Sequence, residues 1–345
     1  MSVKYQAVQW NRQKRIYDFV LVSGVALYLI AFGAVTKILF PLVTEEILLM
    51  RAFGTAAFLL LHIILCIGPL CRLNPKFLPL LYNRRHAGVT CGLLALVHTV
   101  LVVATYHAGG DTNPILSIFV SSPLTPSVAG VPFQPFGFFA LVILFLLAAT
   151  SHDFWLANLS APVWKALHMA VYLAYALLVL HVTFGALQAE ASPVYATATA
   201  IGFVTVLALH LVAARKEKIL DLEIQSPALD GFIEACAVAD IPENRARIVC
   251  VSGERVAIFK YAGKISAVSN VCQHQNGPLG EGKMVDGCIT CPWHGYQYVA
   301  ETGVSPPPFA EKVPTFNVRV QNGRVFVHPK PNLAGTKAEP ALIEK

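Results

Sequence analysis

Four residues in the last third of the chain have the types and spacing of a metal ligand set. They lie in the segments CQH and CPWHG, which sixteen residues separate. Cys272 and Cys291 can give two thiolates to one iron of a [2Fe–2S] centre, while His274 and His294 give imidazoles to the other iron. Zinc is the alternative, but paired CxxC and HxxxH motifs are more typical of zinc than a CxH and a CxxH.

A second set of candidate ligands lies in the apolar part of the chain. Histidine is costly inside a membrane unless it has a partner, so each such histidine is a candidate functional residue. His98 and His181 fall at similar depth in two predicted spans, and His86 and His168 fall near the other end of these spans. The alternative is that they only hydrogen-bond across helices. That alternative is our interpretation of His62, His107 and His210.

The intervals along the two spans rank these pairs as heme ligands. The 12 residues from His86 to His98 and the 13 from His168 to His181 correspond to about 18 and 20 Å of helical rise, enough for two stacked hemes. At about 100° per residue, neither interval returns to the same face, so two hemes would need offset positions or bent helices. We therefore rank His98 with His181 first and His86 with His168 second.

A helical bundle is needed to position these histidines. Crossing a hydrocarbon layer of about 30 Å takes roughly 20 apolar residues. Six stretches qualify, at 17–36, 47–69, 87–106, 134–151, 167–187 and 195–214. The fourth is the shortest, and Pro132 and Pro135 indicate its start.

Basic residues indicate how the spans are oriented. They cluster before the first span, between the second and third, and at the ends of the others on that side: Lys4, Arg12, Lys14, Arg15, Arg72, Lys76, Arg84, Arg85, Lys165, Arg215, Lys216 and Lys218. Residues 107–135 and 188–194, on the other side, contain no Lys or Arg. The excess of positive charge on one side predicts a protein of the cell (inner) membrane whose two termini both face the cytoplasm.

The C-terminal region has the pattern of strands. Apolar residues alternate with polar ones in ARIVCVSG, RVAIFKYAG, ISAVSNVC and FNVRVQNGRVFVHP, and QNGR predicts a hairpin turn. The fold class is therefore multi-domain, an α-helical six-span membrane bundle followed by a small all-β domain.

Composition supports this division. The chain is 55% hydrophobic and 13% charged, which is too apolar for an ordinary soluble protein. The N-terminus lacks the pattern of a removable signal peptide, and the distribution of the eight cysteines is not that expected of a secreted disulfide framework. We expect an N-terminal segment, a bundle, a charged linker, a β-domain and a tail, at 1–15, 16–214, 215–228, 229–330 and 331–345.

The β-domain resembles the Rieske family. The likeness extends over about a hundred residues and includes NVCQHQNGPLGEG, DGCITCPWHGYQY and SPPPF, whose prolines 306–308 correspond to a loop that covers the cluster. In quinol-oxidising complexes, a disulfide joins positions equivalent to Gly277 and Trp293, and neither is Cys here. The resemblance therefore implies one cluster of the lower-potential ferredoxin kind. Cys288 is interpreted as a packed thiol.

The apolar region resembles the ferric-reductase-like transmembrane family, which includes ferric reductases, NADPH oxidases and the membrane subunit of a periplasmic methionine sulfoxide reductase system. RRHAGVTCGLLALVH and WKALHMAVYLAYALLVLH carry the likeness. It implies one or two b-type hemes, with His98, His168 and His181 at matching positions, whereas His86 has no equivalent in the reductase subunit. Arg84 and Arg85 are candidates for heme propionates or for positive-inside anchors.

Together the resemblances imply a membrane-bound oxidoreductase that carries electrons between a cytoplasmic cluster and heme in the bilayer, without binding nucleic acid. The expected partners are a cytosolic reductase as donor and an extracytoplasmic acceptor, with a quinol donor and reversed flow as the alternative direction. A membrane-anchored Rieske ferredoxin or redox sensor without heme is the alternative function. An aromatic-ring oxygenase is disfavoured, because it needs a further iron domain with two histidines and one carboxylate.

Overall fold

The computed structural model describes residues 12–81, 83–120, 132–152, 155, 158–159, 161–189, 193–222, 230–274, 277–293, 295–307 and 309–343. The chain divides into two compact units. The first contains residues 10–69 and 83–210, and the second contains residues 70–82 and 211–345.

Helices fill the described part of the chain up to residue 222. They are α1 (Arg12–Leu39), α2 (Glu45–Leu73), α3 (Leu78–Leu81), α4 (Arg84–Tyr106), α5 (Pro114–Ser117), α6 (Gln134–Ala149), α7 (Ala161–Met169), α8 (Val171–Phe184), α9 (Ala186–Ala189) and α10 (Pro193–Leu220). Apolar side chains of α2, α4, α6, α8 and α10 form one core in the first unit, which includes Leu61, Cys91, Leu144, Ala174 and Val206.

The helical class is confirmed, but the predicted count of six spans is not. Five described segments are long and apolar enough to cross a membrane, namely Lys14–Leu39, Glu45–Leu73, Arg84–Tyr106, Val163–Gln188 and Pro193–Ile219. The predicted fourth span is the shorter helix α6, of 16 residues. Pro135 lies in its first turn, and the Thr150 and Ser151 hydroxyls bond to Leu146 and Leu147 carbonyls at its end. The Leu146 carbonyl also accepts from Thr150 N at 3.0 Å, so backbone and hydroxyl bonds together close the last turn of this helix.

Helix α10 continues beyond the boundary expected at residue 214. It ends at Leu220, so the segment expected as a linker begins as helix, and residues 223–229 lie outside the described part. Within the second unit, Lys216 Nζ donates to the carbonyl of Arg72 at 2.7 Å. A lysine near a helix C-terminus also suits the negative end of the helix dipole.

Antiparallel strands lie between residues 233 and 342 of the described part of the chain. They are β1 (Ile233–Ala237), β2 (Arg245–Val251), β3 (Glu254–Tyr261), β4 (Lys264–Ser269), β5 (Lys283–Val285), β6 (Cys288–Thr290), β7 (Gln297–Val299), β8 (Thr315–Phe316), β9 (Val318–Gln321), β10 (Arg324–Val327) and β11 (Ala341–Leu342). The sheets have the orders β1-β10-β9, β11-β4-β3-β2 with β8 also on β4, and β5-β6-β7. The segment expected as a tail thus adds a strand, because Ala341 pairs with Ile265.

Two-residue turns set the register of the hairpins. Both turn residues have positive φ at 252–253, 262–263, 286–287 and 322–323, and glycine is second each time. This is the type I′ geometry, which matches the twist of the flanking strands. The hairpin predicted from QNGR is confirmed, since Gln321 lies opposite Arg324 across β9 and β10.

Strand β3 separates two cores. Val256 and Ile258 lie in one core with residues of β1, β9 and β10, whereas Ala257 and Phe259 lie in the other. The division follows from the alternation of side chains along a strand. The second core also contains Cys272 and Cys291, so the sheet provides a rigid base for both predicted ligand loops.

Candidate functional site

The first ligand loop follows β4 and is held by Asn270. The Asn270 side chain accepts from Gly280 N at 2.7 Å, and its carbonyl accepts from Leu279 N at 2.8 Å. Within the loop, Cys272 N donates to the Gly277 carbonyl at 2.9 Å. These bonds fix the backbone around Cys272, whose side chain is buried.

The second ligand loop follows β6 and approaches the first. Cys291 N donates to the Tyr296 carbonyl at 2.7 Å, and Gly295 N donates back to the Cys291 carbonyl at 3.0 Å. A Cβ at Gly277 would lie 2.8 Å from Cys291 Sγ and 3.2 Å from the Trp293 ring. A glycine at 277 therefore lets the two loops come into contact. It faces Trp293, the other position at which quinol-oxidising Rieske domains carry the disulfide cysteine.

The histidine positions are described in part. The His274 ring stacks on Tyr296, with centroids 4.7 Å apart and planes 9° apart. His294 lies outside the described residues, as does Pro308 of the predicted covering loop. The Phe309 ring of that loop packs on Tyr296 at 4.7 Å, and the Tyr296 hydroxyl bonds to the Glu311 carboxylate. An aromatic wall therefore borders His274.

Tyr298 is a site residue that the sequence reasoning missed. Its fully buried hydroxyl lies 3.4 Å from Cys272 Sγ and accepts from Gln273 N at 3.1 Å. Because the backbone N–H can only donate, the phenolic hydrogen is available for the sulfur. Burial, together with the neighbouring Cys272, raises the pKa of Tyr298, which keeps this donor protonated.

These residues fit a [2Fe–2S] cluster of mixed ligation. Cys272 and Cys291 are buried sulfurs on loops that touch, and the His274 ring stacks on Tyr296 of the same core. Among the described residues, no three potential ligands are gathered closely enough to hold a metal ion. With His294, the two cysteines and His274 could hold one iron by two thiolates and the other by two imidazoles. Gly280, in the GPLGEG segment, lies in a short 3₁₀ helix (Leu279–Glu281) and packs against Ile248, and no α-helix begins there. Cys288 carries a free thiol whose pKa burial raises.

Two membrane histidines share a distinctive environment in the first unit. His98 Nδ1 lies 2.9 Å from the Met50 carbonyl, and His181 Nδ1 lies 3.0 Å from the Phe133 carbonyl. Each ring is thus oriented by a backbone carbonyl distant in the chain. No described residue lies within hydrogen-bond distance of Nε2 on either ring. Both imidazoles therefore fit an iron ligand, because a ligating histidine usually donates its other N–H to a fixed acceptor.

The other histidines of this unit use their nitrogens differently. His62, His168 and His210 each bond through Nδ1 to the carbonyl four residues earlier in their own helix. Their Nε2 atoms lie 3.0, 3.4 and 3.0 Å from the hydroxyls of Tyr175, Ser151 and Tyr172 respectively. The hydrogen-bonding interpretation therefore fits His62 and His210 well.

His86 and His168, the second-ranked pair, do not share one environment. His86 Nδ1 lies 2.7 Å from a carboxylate oxygen of Asp18, and Asn83 Nδ2 donates to the same oxygen. The His168 ring instead stacks on Trp164, with centroids 3.7 Å apart. Nearby, Arg85 Nη1 donates to the Ser151 carbonyl at 3.3 Å. A second heme at this pair remains a prediction.

Charged residues in the second unit attach the β-domain to the end of α10. Arg255, on β3, bonds to Glu217 at 2.5 Å and to both carboxylate oxygens of Asp221 at 2.5 and 2.7 Å. This fork lowers the pKa of Asp221. Nearby, burial raises the pKa of Glu281 to about 7, which Glu217 supports and Arg72 opposes. This network was not predicted from the sequence.

Comparisons with known proteins identify both halves of the chain. Residues 231–317 match the family described as Rieske [2Fe-2S] domain, and residues 53–179 match the family described as ferric reductase like transmembrane component.

Curated relatives match the β-domain. The ferredoxin component of the naphthalene 1,2-dioxygenase system of Pseudomonas putida is 31% identical over 97 residues, which cover 28% of this chain and 93% of that protein. The 3-phenylpropionate/cinnamic acid dioxygenase ferredoxin subunit of Escherichia coli is 32% identical, with 28% and 91% covered. The alkene monooxygenase system ferredoxin component of Xanthobacter autotrophicus is 29% identical, with 29% and 83% covered. This chain is therefore a multi-pass membrane protein of the Rieske [2Fe–2S] family, in which this electron-transfer domain is joined to a ferric-reductase-like transmembrane domain.

Proposed function

We propose that this chain is a transmembrane electron-transfer protein. It accepts electrons from a cytosolic reductase at its Rieske domain and delivers them to an acceptor on the outer side of the cell membrane. The observation that carries the proposal is the combination of the Rieske ligand loops with His98 and His181, whose Nε2 atoms are not hydrogen-bonded by the described residues. When bound, a Rieske cluster and a b-type heme each supply a one-electron carrier.

The chain's own residues prepare both sites. Cys272, His274, Cys291 and His294 would hold the cluster, and Tyr298 supports Cys272 by its hydroxyl. Membrane helices α4 and α8 carry His98 and His181 respectively. A second heme would use His86 and His168, and Arg84 and Arg85 supply positive charge for propionates.

Direction and partners follow from charge and from the relatives. The excess of Lys and Arg on one side supports a cytoplasmic Rieske domain, with the bundle in the inner membrane. The named relatives are ferredoxin components of oxygenase systems. By analogy, a soluble pyridine-nucleotide-dependent reductase supplies the electrons here. The acceptor is an extracytoplasmic oxidant such as ferric iron or a periplasmic enzyme.

Optical and magnetic spectra of purified membranes test this function. The wild type should show a b-type heme that is lost in His98→Ala and in His181→Ala. His210→Ala should retain the heme, because His210 Nε2 is already hydrogen-bonded to the Tyr172 hydroxyl. Paramagnetic resonance of the reduced Rieske cluster should be the same in all variants and so reports correct folding. A cluster signal without heme in the wild type would instead favour a membrane-anchored Rieske ferredoxin or redox sensor.

Sidedness is a separate test. In inverted membrane vesicles, a membrane-impermeant reductant should reduce the cluster directly, whereas an impermeant oxidant trapped inside should be consumed only when heme is present. Reduction of the cluster in right-side-out vesicles alone would contradict the cytoplasmic placement.

A further inference from the structure

The rings of His98 and His181 each lie against a glycine of a neighbouring helix. An ideal Cβ at Gly54 would lie 2.8 Å from His98 Nδ1, and one at Gly137 would lie 2.8 Å from His181 Nδ1. Real Cβ atoms essentially never approach so closely, so each ring occupies space that only glycine leaves free. The contacting atoms belong to the imidazole ring itself, which cannot move without changing the direction of Nε2.

Each glycine is combined with a carbonyl one turn before it, which belongs to the same helix for Gly54 and to the N-cap residue of the helix for Gly137. The carbonyl that accepts from His98 belongs to Met50, four residues before Gly54, and the one that accepts from His181 belongs to Phe133, four residues before Gly137. In a helix, residues four apart are stacked one turn above the other. The carbonyl and the glycine therefore lie next to each other. The carbonyl accepts from the Nδ1–H of the histidine, and the missing side chain of the glycine leaves room for the imidazole ring.

The same arrangement occurs twice with the same spacing. Carbonyl and histidine are 48 residues apart in both cases, and both glycines directly follow a phenylalanine. The helix pairs α2 with α4 and α6 with α8 thus repeat one device for holding an imidazole. No other described histidine of the bundle has both parts: Gly202 lies against His62, but His62 bonds to its own helix and to Tyr175.

We propose that Gly54 and Gly137 are positioning residues that, with the Met50 and Phe133 carbonyls, hold the His98 and His181 rings in the orientation in which their Nε2 atoms would bind heme iron. The proposal rests on the proposed function. Donation of Nδ1–H to the carbonyl selects the tautomer whose Nε2 lone pair is available for iron. The glycine lets the ring reach that carbonyl without bending the helix.

Gly54→Ala and Gly137→Ala test the proposal in the full-length protein. The added methyl group displaces the ring from its carbonyl, and loss of such an outer partner typically weakens metal binding about 10–100-fold. We expect lower heme content and, in the remaining reduced heme, binding of carbon monoxide, which a heme with two intact histidine ligands excludes. The Rieske paramagnetic signal measures how much folded chain is present, and two separate variants guard against one that fails to fold.

Two glycine variants are matched controls. Gly202→Ala places a methyl group against the His62 ring, and Gly88→Ala adds one on α4 where nothing lies within 4 Å. Both should keep wild-type heme content and exclude carbon monoxide. Wild-type spectra in Gly54→Ala and Gly137→Ala, or an equal loss in Gly202→Ala, would overturn the positioning role alone. A wild type without heme would overturn the proposed function as well.

Discussion

The hydroxyl of Tyr298 should set part of the reduction potential of the Rieske cluster. It is fully buried, receives Gln273 N–H and lies 3.4 Å from Cys272 Sγ, so its hydrogen is directed at a ligand sulfur. Reduction adds negative charge to the site, and a donor to sulfur stabilises the more negative state more strongly. Tyr298→Phe removes this donor, keeps the ring in its core, and should lower the potential.

The size of the shift follows from the energy of such a bond. A hydrogen bond to a charged group contributes about 1.5–3 kcal/mol, of which we expect about 1–2 kcal/mol to differ between the two oxidation states. For a one-electron couple, about 1.4 kcal/mol corresponds to about 59 mV. The potential of Tyr298→Phe should therefore lie about 40–85 mV below that of the wild type.

Redox titration followed by paramagnetic resonance measures the shift. Tyr261→Phe is the control, because Tyr261 packs against the same core but its hydroxyl bonds to Ser266 at 2.8 Å. It should lose a similar amount of stability, about 1 kcal/mol, without changing the potential. An unchanged potential in Tyr298→Phe, or equal shifts in both variants, would refute the reasoning.

Three further predictions concern the β-domain. The raised pKa of Glu281 means that the folded state prefers the neutral carboxyl. The contribution of this group to stability should therefore be full below about pH 4.5, decrease as the pH rises to about 7, and be absent in Glu281→Gln. If the wild type and Glu281→Gln lost thermal stability equally over this pH range, the prediction would be contradicted. Arg255→Gln should broaden spin-label distances between the end of α10 and the β-domain, whereas Arg324→Gln, which loses an ion pair within the β-domain, should not. Gly303→Ala should cost about 1–3 kcal/mol more than Gly263→Ala in chemical denaturation, because both have positive φ but only Gly303 lies against a backbone carbonyl; equal losses would refute the clash.

Local patterns were sufficient for much of the Rieske domain. Alternation along β3 and β4 predicts strands, and Asn322-Gly323 fixes its hairpin because the turn geometry depends only on neighbouring residues. Tyr298 lies in the motif DGCITCPWHGYQY, but its role depends on Cys272, which is 26 residues away. Such a contact appears only after the strand and both loops have packed, so spacing alone could not find it.

Boundaries between the regions were harder to predict for a physical reason. Apolarity stops near residue 214, but helix formation does not need apolar residues, and α10 continues through Lys216 and Glu217 to Leu220. Similarly, the polar segment before Ala341 gives no strand signal, and the pairing with β4 arises from the free edge that this strand offers. The hydropathy of the sequence indicates where an apolar span ends, whereas the end of a helix or strand depends on where its backbone hydrogen bonds end.

The membrane histidines show which information was missing from periodicity. Depth and helical face rank His98 with His181, but the same criteria apply to any histidine in a span. What separates this pair is the origin of the acceptor for Nδ1: a carbonyl of another helix beside a glycine, instead of the preceding turn of the same helix. An own-helix acceptor holds the ring along its helix axis, as in His62, whereas a cross-helix acceptor makes its orientation depend on the packing of two helices. The Phe-Gly pair that occurs in the helix preceding each of these histidines reflects this need for a glycine beside the ring. The repeat is visible only when the two halves of the bundle are aligned with each other.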